Sequence, residues 1–310
     1  MRFAVDPLPG HARFGAIVTG LTEAMLADEA VRAALRALWI DKGLLIFRGL
    51  NGDGISSGET HMRLARAMGT PGEHPMQRKP GTDPAVQHPT PVFFDRDKGS
   101  DVYVVDGVAW GGHQPWHTDW IYMDEIARGG MMAPVILPGS GGDTGFIDQI
   151  EAWETLPAHL KSRAERLNVL YAFHYDASKT PFGTRPERSM AISPRLLQAA
   201  RHERVARRSI HPMVFTQPET GREWLNVSPW WSDGIEGMED AAGRALLAEI
   251  VAHATDPARA YWHRWRPDDI LLWDNWRLLH AAQGVPLGEV RHMSRIDLVG
   301  DYGAGRYEQA

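Results

Sequence analysis

Histidine and aspartate side chains spaced for metal binding stand out in this sequence. His117 and Asp119 lie two residues apart between two tryptophans. If this segment is a β-strand, its alternation places both side chains on one face. An imidazole and a carboxylate can form two corners of a metal site, and a facial triad adds a second histidine while leaving three positions open. The candidate third ligand is His280, which follows an apolar segment ending at Trp273-Asp274-Asn275.

A His-x-Asp pair alone is weak evidence, because the chain has 14 histidines and such a pair also arises by chance. His174-Tyr175-Asp176 is a second pair, and a simple hydrogen-bonded pair in the core or on the surface is the alternative for both. The residues downstream favour the first pair. They are Thr144 after a glycine turn, and Arg291 and Arg295, which lie four residues apart on one face of a predicted strand.

Two inward arginines beside open metal positions suit a small dicarboxylate that chelates the metal. One guanidinium would hold its far carboxylate through a bidentate bond, and the other could hold a second anion. Exposure of both arginines to solvent is the alternative. Met293, Ile296 and Leu298 on the same strand do not give a clean two-faced pattern, so the sequence pattern leaves both interpretations open.

The composition excludes several classes of protein. The chain of 310 residues has no cysteine, which rules out disulfides, thiolate metal sites and cysteine nucleophiles. A net charge of -6 provides no basic face, so we expect no nucleic-acid partner. No apolar run approaches about 18 residues, and the N-terminus lacks an apolar core of signal-peptide length. We therefore expect a cytoplasmic protein without a membrane partner, and a homo-oligomer is compatible with the apolar positions of its helices.

Short strands bounded by glycine and proline dominate the predicted elements. We expect one domain over residues 1–310, with N-terminal helices and a long polar loop over the site near residues 72–100. Strands and helices do not alternate regularly enough for a doubly wound sheet, so a mainly β barrel or jelly roll with helical decoration fits better. Strands are predicted at Phe14–Val18, Leu44–Arg48, Val102–Asp106, Gly130–Leu137, Asn168–Tyr175, Ile210–Thr216, Glu223–Val227, Ala260–Trp265, Ile270–Trp273 and Arg291–Val299. Helices are predicted at Ala24–Trp39 with Thr22 as its cap, Ser57–Met68, Glu151–Arg163, Pro194–Arg207 and Gly237–Ala254.

Taken together, these motifs resemble those of the taurine and 2,4-dichlorophenoxyacetate dioxygenases, which are Fe(II)/2-oxoglutarate-dependent oxygenases. The resemblance extends from about Gly43 to Val299. Its order and spacing are specific, and it is carried by the following segments: Gly43-Leu44-Leu45-Ile46-Phe47-Arg48, Trp116-His117-Thr118-Asp119, Gly141-Gly142-Asp143-Thr144, Ser209-Ile210-His211-Pro212, Trp265-Arg266-Pro267-Asp268-Asp269, Trp273-Asp274-Asn275, His280, Arg291 and Arg295.

This resemblance implies a double-stranded β-helix, a cupin-like jelly roll. It implies that His117, Asp119 and His280 bind Fe(II). It further implies oxidative decarboxylation of 2-oxoglutarate to succinate and CO2, coupled to hydroxylation of a substrate C–H bond by O2. The carboxylate at Asp119 argues against a halogenase, in which a small residue there leaves room for halide.

The same resemblance assigns residues to the two organic ligands. Thr144 and Arg291 would bind the C5 carboxylate of 2-oxoglutarate. Arg295 falls where taurine dioxygenase holds the sulfonate of its substrate. His74, in a loosely aligned loop, and His113 fall near other substrate contacts of that enzyme.

The sequence also departs from the family pattern. Where an arginine often follows Asp-Asn, this chain has Trp276 and then Arg277, which puts the supporting role of that arginine in doubt. Trp230 and Trp231 replace a segment that carries one phenylalanine in taurine dioxygenase. Ordinary core packing is one explanation for this pair, and a flat or aromatic substrate is the other.

We therefore expect a dioxygenase acting on a small anionic and aromatic substrate, whose identity the sequence does not reveal. One alternative is a non-oxidative hydrolase or isomerase that holds a metal such as zinc on the same type of barrel. Another is a non-catalytic β-sandwich binding module.

Overall fold

The computed structural model describes residues 3–52, 58–77 and 88–309. The strands in these ranges are β1 Ala4–Leu8, β2 His11–Thr19, β3 Leu44–Arg48, β4 Thr70–Gly72, β5 Thr90–Phe94, β6 Val102–Val105, β7 Val108–Gly111, β8 Gln114–His117, β9 Gly129–Ile136, β10 Thr144–Asp148, β11 Asn168–Tyr171, β12 Arg188–Ala191, β13 Ser209–Pro212, β14 Val214–Thr216, β15 Glu223–Leu225, β16 Ser232–Ile235, β17 Tyr261–His263, β18 Asp269–Asp274, β19 Leu278–Ala282, β20 Val285–Pro286, β21 Arg291–Val299 and β22 Arg306–Tyr307. The α-helices are α1 Glu29–Lys42, α2 Glu59–Met68, α3 Gln149–Thr155, α4 Ala158–Ala164, α5 Pro194–Ala199 and α6 Ala241–Ala254.

A large sheet in the order β1-β2-β3-β18-β9-β21-β4 forms one layer, and β5 also pairs with β21. Its central strand β18 is buried along its whole length, and its four middle residues, between Asp269 and Asp274, are apolar. Ile270 and Leu272 pack in a cluster with side chains of α1 and α2. Leu271 and Trp273 point to the opposite side, as the alternation of a strand requires.

A smaller sheet in the order β17-β10-β19-β8 covers that opposite side. Phe146 of β10 and Leu278 of β19 share one buried cluster with Leu271, Trp273 and Met293 of the large sheet. The two sheets therefore pack face to face. The predicted mainly β architecture with helical decoration is confirmed, and the predicted site residues lie where these sheets meet.

Strand β21 has the predicted limits and carries the two arginines of interest. Met293 lies between them and belongs to the cluster between the sheets, whereas Ile296 and Leu298 pack toward the helices. Alternation then places Arg291, Met293 and Arg295 on the inner face. The alternative interpretation, in which both arginines are exposed to solvent, is therefore wrong, because both line an internal cavity.

Several predicted elements are shorter than expected. The segment with His117 and Asp119 is a strand only as far as His117, so Asp119 lies in the following loop. The predicted helix Glu151–Arg163 is two helices, because Pro157 separates α3 from α4. The predicted helix Pro194–Arg207 ends at Ala199.

The N-terminal helix is capped differently from the prediction. Thr22 precedes a short 3-10 segment without a side-chain capping bond, whereas the Asp28 carboxylate accepts a hydrogen bond from Ala30 N at the start of α1. An aspartate at this position satisfies one of the free amides of the first turn. Ser57, the predicted start of the next helix, lies outside the described residues.

The predicted loop over residues 72–100 is partly a strand. Residues Thr90–Phe94 form β5 and pair with β21 from Arg295 back to Arg291. Residues 78–87 of this predicted loop lie outside the described residues. Within the described ranges, no helix has the length and apolar character needed to cross a bilayer.

Candidate active site

The two candidate histidine ligands are direct cross-strand partners. His117 at the end of β8 lies opposite His280 of β19, and their ring centroids are 4.1 Å apart. Partners in an antiparallel pair point to the same face of the sheet, here toward the large sheet. The Nδ1 atom of His117 lies 2.7 Å from the carbonyl of Pro115. This contact fixes the ring so that Nε2 faces Asp119, and a bond of this kind commonly orients a metal-bound histidine.

Asp119 is positioned by the loop rather than by a strand. Its backbone N–H donates to Oδ1 of Asn275 at 2.9 Å, and Nδ2 of Asn275 donates to its carbonyl at 3.1 Å. Ser228 Oγ accepts from the N–H of Thr118 in the same way at 2.9 Å. Trp120 has a φ of +67°, a conformation unfavourable for a bulky side chain. Asn275 and Ser228 therefore hold a strained turn that directs the Asp119 carboxylate inward.

The three side chains form a compact donor set. One ligand atom from each of His117, Asp119 and His280 lies within 4.8 Å of the other two. His280 Nε2 is 3.0 Å from Asp119 Oδ2, yet neither ring nitrogen of this buried histidine has a hydrogen-bond partner among the described residues. Orphaned buried nitrogens are costly unless something binds them. Two imidazoles and one carboxylate are the donors of a non-haem Fe(II) facial triad, so these residues fit such an ion.

The protonation states also suit a metal. Burial lowers the pKa of His280 to about 4, although Asp119 partly opposes this effect. Burial disfavours the charge of Asp119, but the guanidinium of Arg295 opposes it most strongly, and the pKa of this carboxyl lies well below its usual range. At neutral pH His280 is therefore neutral and Asp119 ionised, as metal ligation requires.

The second His-x-Asp pair does not form a comparable group. The Asp176 carboxylate accepts hydrogen bonds from Ser178 and Ser189. His174 points elsewhere, with its Nε2 3.9 Å from Asp233 Oδ1. The choice of the first pair from its downstream context is consistent with this difference.

Thr144 and Arg291 meet at one end of the cavity. Thr144 Oγ1 accepts hydrogen bonds from Trp265 Nε1 at 3.0 Å and from Arg291 Nη2 at 3.4 Å. Burial lowers the pKa of Arg291 to about 10, and Asp143 only partly offsets it. Arg291 Nε is buried without a partner, and no carboxylate lies within ion-pair distance of this arginine in the part of the chain that is described. This end of the cavity therefore presents an uncompensated cation and fits a ligand carboxylate.

A glycine makes this arrangement possible. Gly142 has a φ of +80°, and a Cβ there would lie 2.9 Å from Pro138 Cγ and 3.3 Å from Arg291 Cδ. A larger residue would strain the turn and displace the arginine. This explains the Gly141-Gly142 turn that precedes Thr144.

Arg295 has a different environment from Arg291. Its Nη2 donates to Asp119 Oδ2 at 2.6 Å, and its Nε and Nη2 both donate to Asp297 Oδ1, at 2.9 and 2.7 Å. Burial acts against its charge, but Asp119 and Asp297 prevail and raise the pKa of Arg295. Arg295 is thus already paired with two carboxylates, and no pattern in the sequence indicates this pairing.

A cavity of about 590 Å³ lies in front of these residues and includes all three candidate metal ligands, Thr144, Arg291 and Arg295 in its wall. Aromatic rings form much of one side. Trp230 and Trp231 stack with centroids 4.1 Å apart, and Trp230 contacts the edge of His117 at 5.2 Å. Phe173 stacks on Trp231 at 5.2 Å. The two tryptophans therefore both pack in the core and face the cavity.

The two remaining histidine candidates differ in position. His74 lines the cavity, with Nε2 3.2 Å from the hydroxyl of Tyr122 and its ring against Trp120. His113 is not part of the cavity wall. Its Nδ1 lies 3.0 Å from the carbonyl of Gln283, and its role as a substrate contact stays a prediction.

Arg277, the arginine whose supporting role the sequence left in doubt, has a structural role. Arg277 is fully buried and forms two hydrogen bonds of 2.7 Å with the Asp148 carboxylate, and its Nη1 donates to the carbonyl of Asp41. It therefore ties the start of β19 to the end of β10, well placed to support His280. Asn275, Trp265 and Asp297 were not singled out as site residues. The first two belong to quoted motifs, but no sequence pattern marked Asp297.

Comparison with known proteins gives a consistent result. A family model described as taurine catabolism dioxygenase TauD, TfdA family matches residues 4–296. An (S)-phenoxypropionate/alpha-ketoglutarate-dioxygenase from Sphingobium herbicidovorans is 30% identical over 298 residues, which cover 96% of each chain. An alpha-ketoglutarate-dependent 2,4-dichlorophenoxyacetate dioxygenase from Cupriavidus pinatubonensis is 32% identical over 194 residues, 61% of each chain.

A solved structure supports the fold. The crystal structure of a taurine dioxygenase from Burkholderia xenovorans matches with a TM-score of 0.71 at 22% identity, covering 100% of this chain and 97% of that chain. The predicted double-stranded β-helix is confirmed by this likeness. The zinc hydrolase and the non-catalytic module expected as alternatives are not favoured by the matched family or by the named relatives.

Proposed function

This chain belongs to the taurine catabolism dioxygenase TauD, TfdA family, and from that membership we propose that it hydroxylates a C–H bond of a small anionic, aromatic substrate. It is a 2-oxoglutarate-dependent dioxygenase that uses Fe(II) and releases succinate and CO2. The observation that carries the proposal for its site is the orphaned His280 beside Asp119 in a cavity that also holds the unpaired Arg291.

His117, Asp119 and His280 are the residues proposed to hold the iron. Bound Fe(II), chelated by 2-oxoglutarate, supplies the chemistry that couples decarboxylation of the cosubstrate to transfer of one oxygen atom from O2 to the substrate carbon. The protein positions the target C–H bond and excludes water and competing reactions. Asn275 serves this end by fixing the backbone on both sides of the Asp119 peptide.

Thr144 and Arg291 are proposed to bind the C5 carboxylate of 2-oxoglutarate. A carboxylate there would replace the missing counter-ion of Arg291 and accept charge-assisted hydrogen bonds. Trp265 supports this end of the cavity because its Nε1 donates to Thr144 Oγ1 and directs that hydroxyl.

The substrate is proposed to lie against Trp230 and Trp231, with its anionic group toward Arg295 and with His74 as a further contact in the cavity wall. Stacked indoles offer a flat apolar surface and suit an aromatic body. Two relatives are named for aryloxy acids, which combine an aromatic ring with a carboxylate. This pairing of chemical groups supports an aromatic anion as the substrate class.

The test is a screen for succinate release across aromatic and aliphatic anions with Fe(II), 2-oxoglutarate and air. We expect substrate-dependent succinate only from compounds that combine a ring with an anionic group, and none from Asp119→Ala. Full activity of that variant would remove the proposed iron site. Addition of Fe(II) and 2-oxoglutarate without air should also give the weak visible absorbance of the chelate.

A further inference from the structure

The guanidinium of Arg295 is largely occupied before any substrate arrives. Asp297 Oδ1 accepts from Nε and Nη2, and Asp119 Oδ2 accepts from Nη2. Nη1 has no partner among the described residues. One nitrogen of this arginine therefore remains for a ligand, so a substrate anion cannot form the two parallel bonds that make guanidinium–carboxylate pairs strong.

Asp297 is equally exposed to the cavity. Both of its hydrogen bonds from Arg295 end on Oδ1, and Oδ2 has no partner in the described ranges. Its side chain is 14% exposed, close to the 17% of Arg295, and both line the cavity. The two residues are neighbours on the inner face of β21, because they lie two positions apart on one strand.

The charges of this pair cancel. A lone anion approaching Nη1 would gain one charge-assisted hydrogen bond but would be repelled by the adjacent carboxylate. A ligand that carries a cation beside its anion meets a charge of opposite sign at each contact, at Arg295 Nη1 and at Asp297 Oδ2. Discrimination between such ligands arises from the repulsive partner as much as from the attractive one.

We propose that Asp297 is a specificity-determining residue, which selects substrates with a hydrogen-bond donor, in particular an ammonium group, next to their anionic group. The substrate class is then an aromatic zwitterion, with its anion on Arg295 Nη1, its ammonium on Asp297 Oδ2 and its ring on Trp230 and Trp231. This inference rests on the proposed function, since it places the substrate in the same cavity.

The experiment compares ligands that differ only in the ammonium group. The probes are phenylalanine with 3-phenylpropionate, and phenylglycine with phenylacetate. Binding is measured by calorimetry on the complete protein with Fe(II) and 2-oxoglutarate, without air. Because a hydrogen bond to a charged group contributes about 1.5–3 kcal/mol, we expect each zwitterion to bind about tenfold or more tightly than its partner.

The key variant is Asp297→Asn, which retains an oxygen for Arg295 and presents a neutral amide donor in place of Oδ2. We expect it to weaken zwitterion binding and strengthen monoanion binding, so that the ratio of the two affinities falls about tenfold or more. Asp301→Asn makes the same charge change at an exposed residue and should leave the ratio unchanged. Visible absorbance of the 2-oxoglutarate chelate confirms that each variant is folded.

Three results would overturn the inference: equal affinities within both pairs, no binding of any probe, or an equal loss for both members of a pair in Asp297→Asn. The last result would mean that Asp297 only positions Arg295. Failure of the proposed function looks different, because the wild-type protein would then give no chelate absorbance. A chelate without preference for the zwitterion contradicts only the role of Asp297.

Discussion

Replacement of Arg291 by methionine should separate cosubstrate binding from the stability of the fold. Burial lowers the pKa of Arg291 from 12.5 to about 10 without a carboxylate at ion-pair distance among the described residues. Since one pKa unit corresponds to about 1.4 kcal/mol, keeping this side chain charged in the folded protein costs at most about 3.5 kcal/mol. This cost is fully present below the folded pKa and disappears as the pH rises above about 10.

Methionine removes the charge but keeps an unbranched chain beside Met132 and Trp265. The variant without ligand should therefore unfold at the wild-type temperature or a few degrees above it, at neutral pH. Its affinity for 2-oxoglutarate should fall about 30-fold or more, because truncation of one partner of a buried charge pair costs about 2–5 kcal/mol. The assay is thermal unfolding with Mn(II), with and without 2-oxoglutarate, since a bound ligand raises the unfolding temperature.

Arg295→Met provides the matched control. It removes the same charge from the same face of β21, but it leaves Asp119 and Asp297 without their shared cation. We expect it to destabilise the protein while preserving most of the 2-oxoglutarate-dependent shift. Two outcomes would contradict an unpaired Arg291 that binds the cosubstrate: Arg291→Met retains the wild-type shift, or it destabilises the ligand-free protein as much as Arg295→Met does.

Three further changes examine the metal site and the aromatic wall. His280→Ala should abolish both the metal-dependent rise in unfolding temperature and the chelate absorbance; persistence of either argues against His280 as a ligand. Asn275→Ala should weaken Mn(II) binding about 10- to 100-fold in titrations, because it removes the bonds that orient Asp119. Unchanged affinity would mean that the loop holds its shape without Asn275. Trp231→Leu should raise the KM for aromatic substrates up to about tenfold, because ring contacts are lost, and should leave the KM for aliphatic substrates unchanged. An equal effect on both classes of substrate would contradict stacking on Trp231.

Much of the fold could be predicted from local pattern. The apolar run Leu44–Arg48 and the strand Arg291–Val299 have the limits expected for them. The predictions failed where contacts between residues distant in sequence override the local sequence pattern. The His-x-Asp spacing looked like strand alternation, but the chain turns after His117 because Asn275 and Ser228 hold the next residues from a distance. No periodicity in the sequence reveals such long-range hydrogen bonds.

The candidate site was predictable to a similar degree. Types and order of residues were enough to gather the metal ligands with Thr144 and Arg291 around one cavity. The sequence did not predict the direction of the His113 ring, which turns to the carbonyl of Gln283, because this contact joins residues 170 positions apart. Side-chain direction at a strand end is set by such contacts and not by sequence spacing.

The two arginines of β21 show what distinguishes residues of the same type on the same face. The sequence marks both as candidate anion sites, and four residues of spacing give them equal access to the space between the sheets. Their neighbours then make them unlike. Thr144 and an indole offer Arg291 no negative charge, so it requires a ligand carboxylate, whereas Asp119 and Asp297 already neutralise Arg295. Affinity for the cosubstrate therefore depends on the unpaired cation of Arg291. Selectivity for the substrate depends on the atoms that remain free in the paired Arg295 and Asp297.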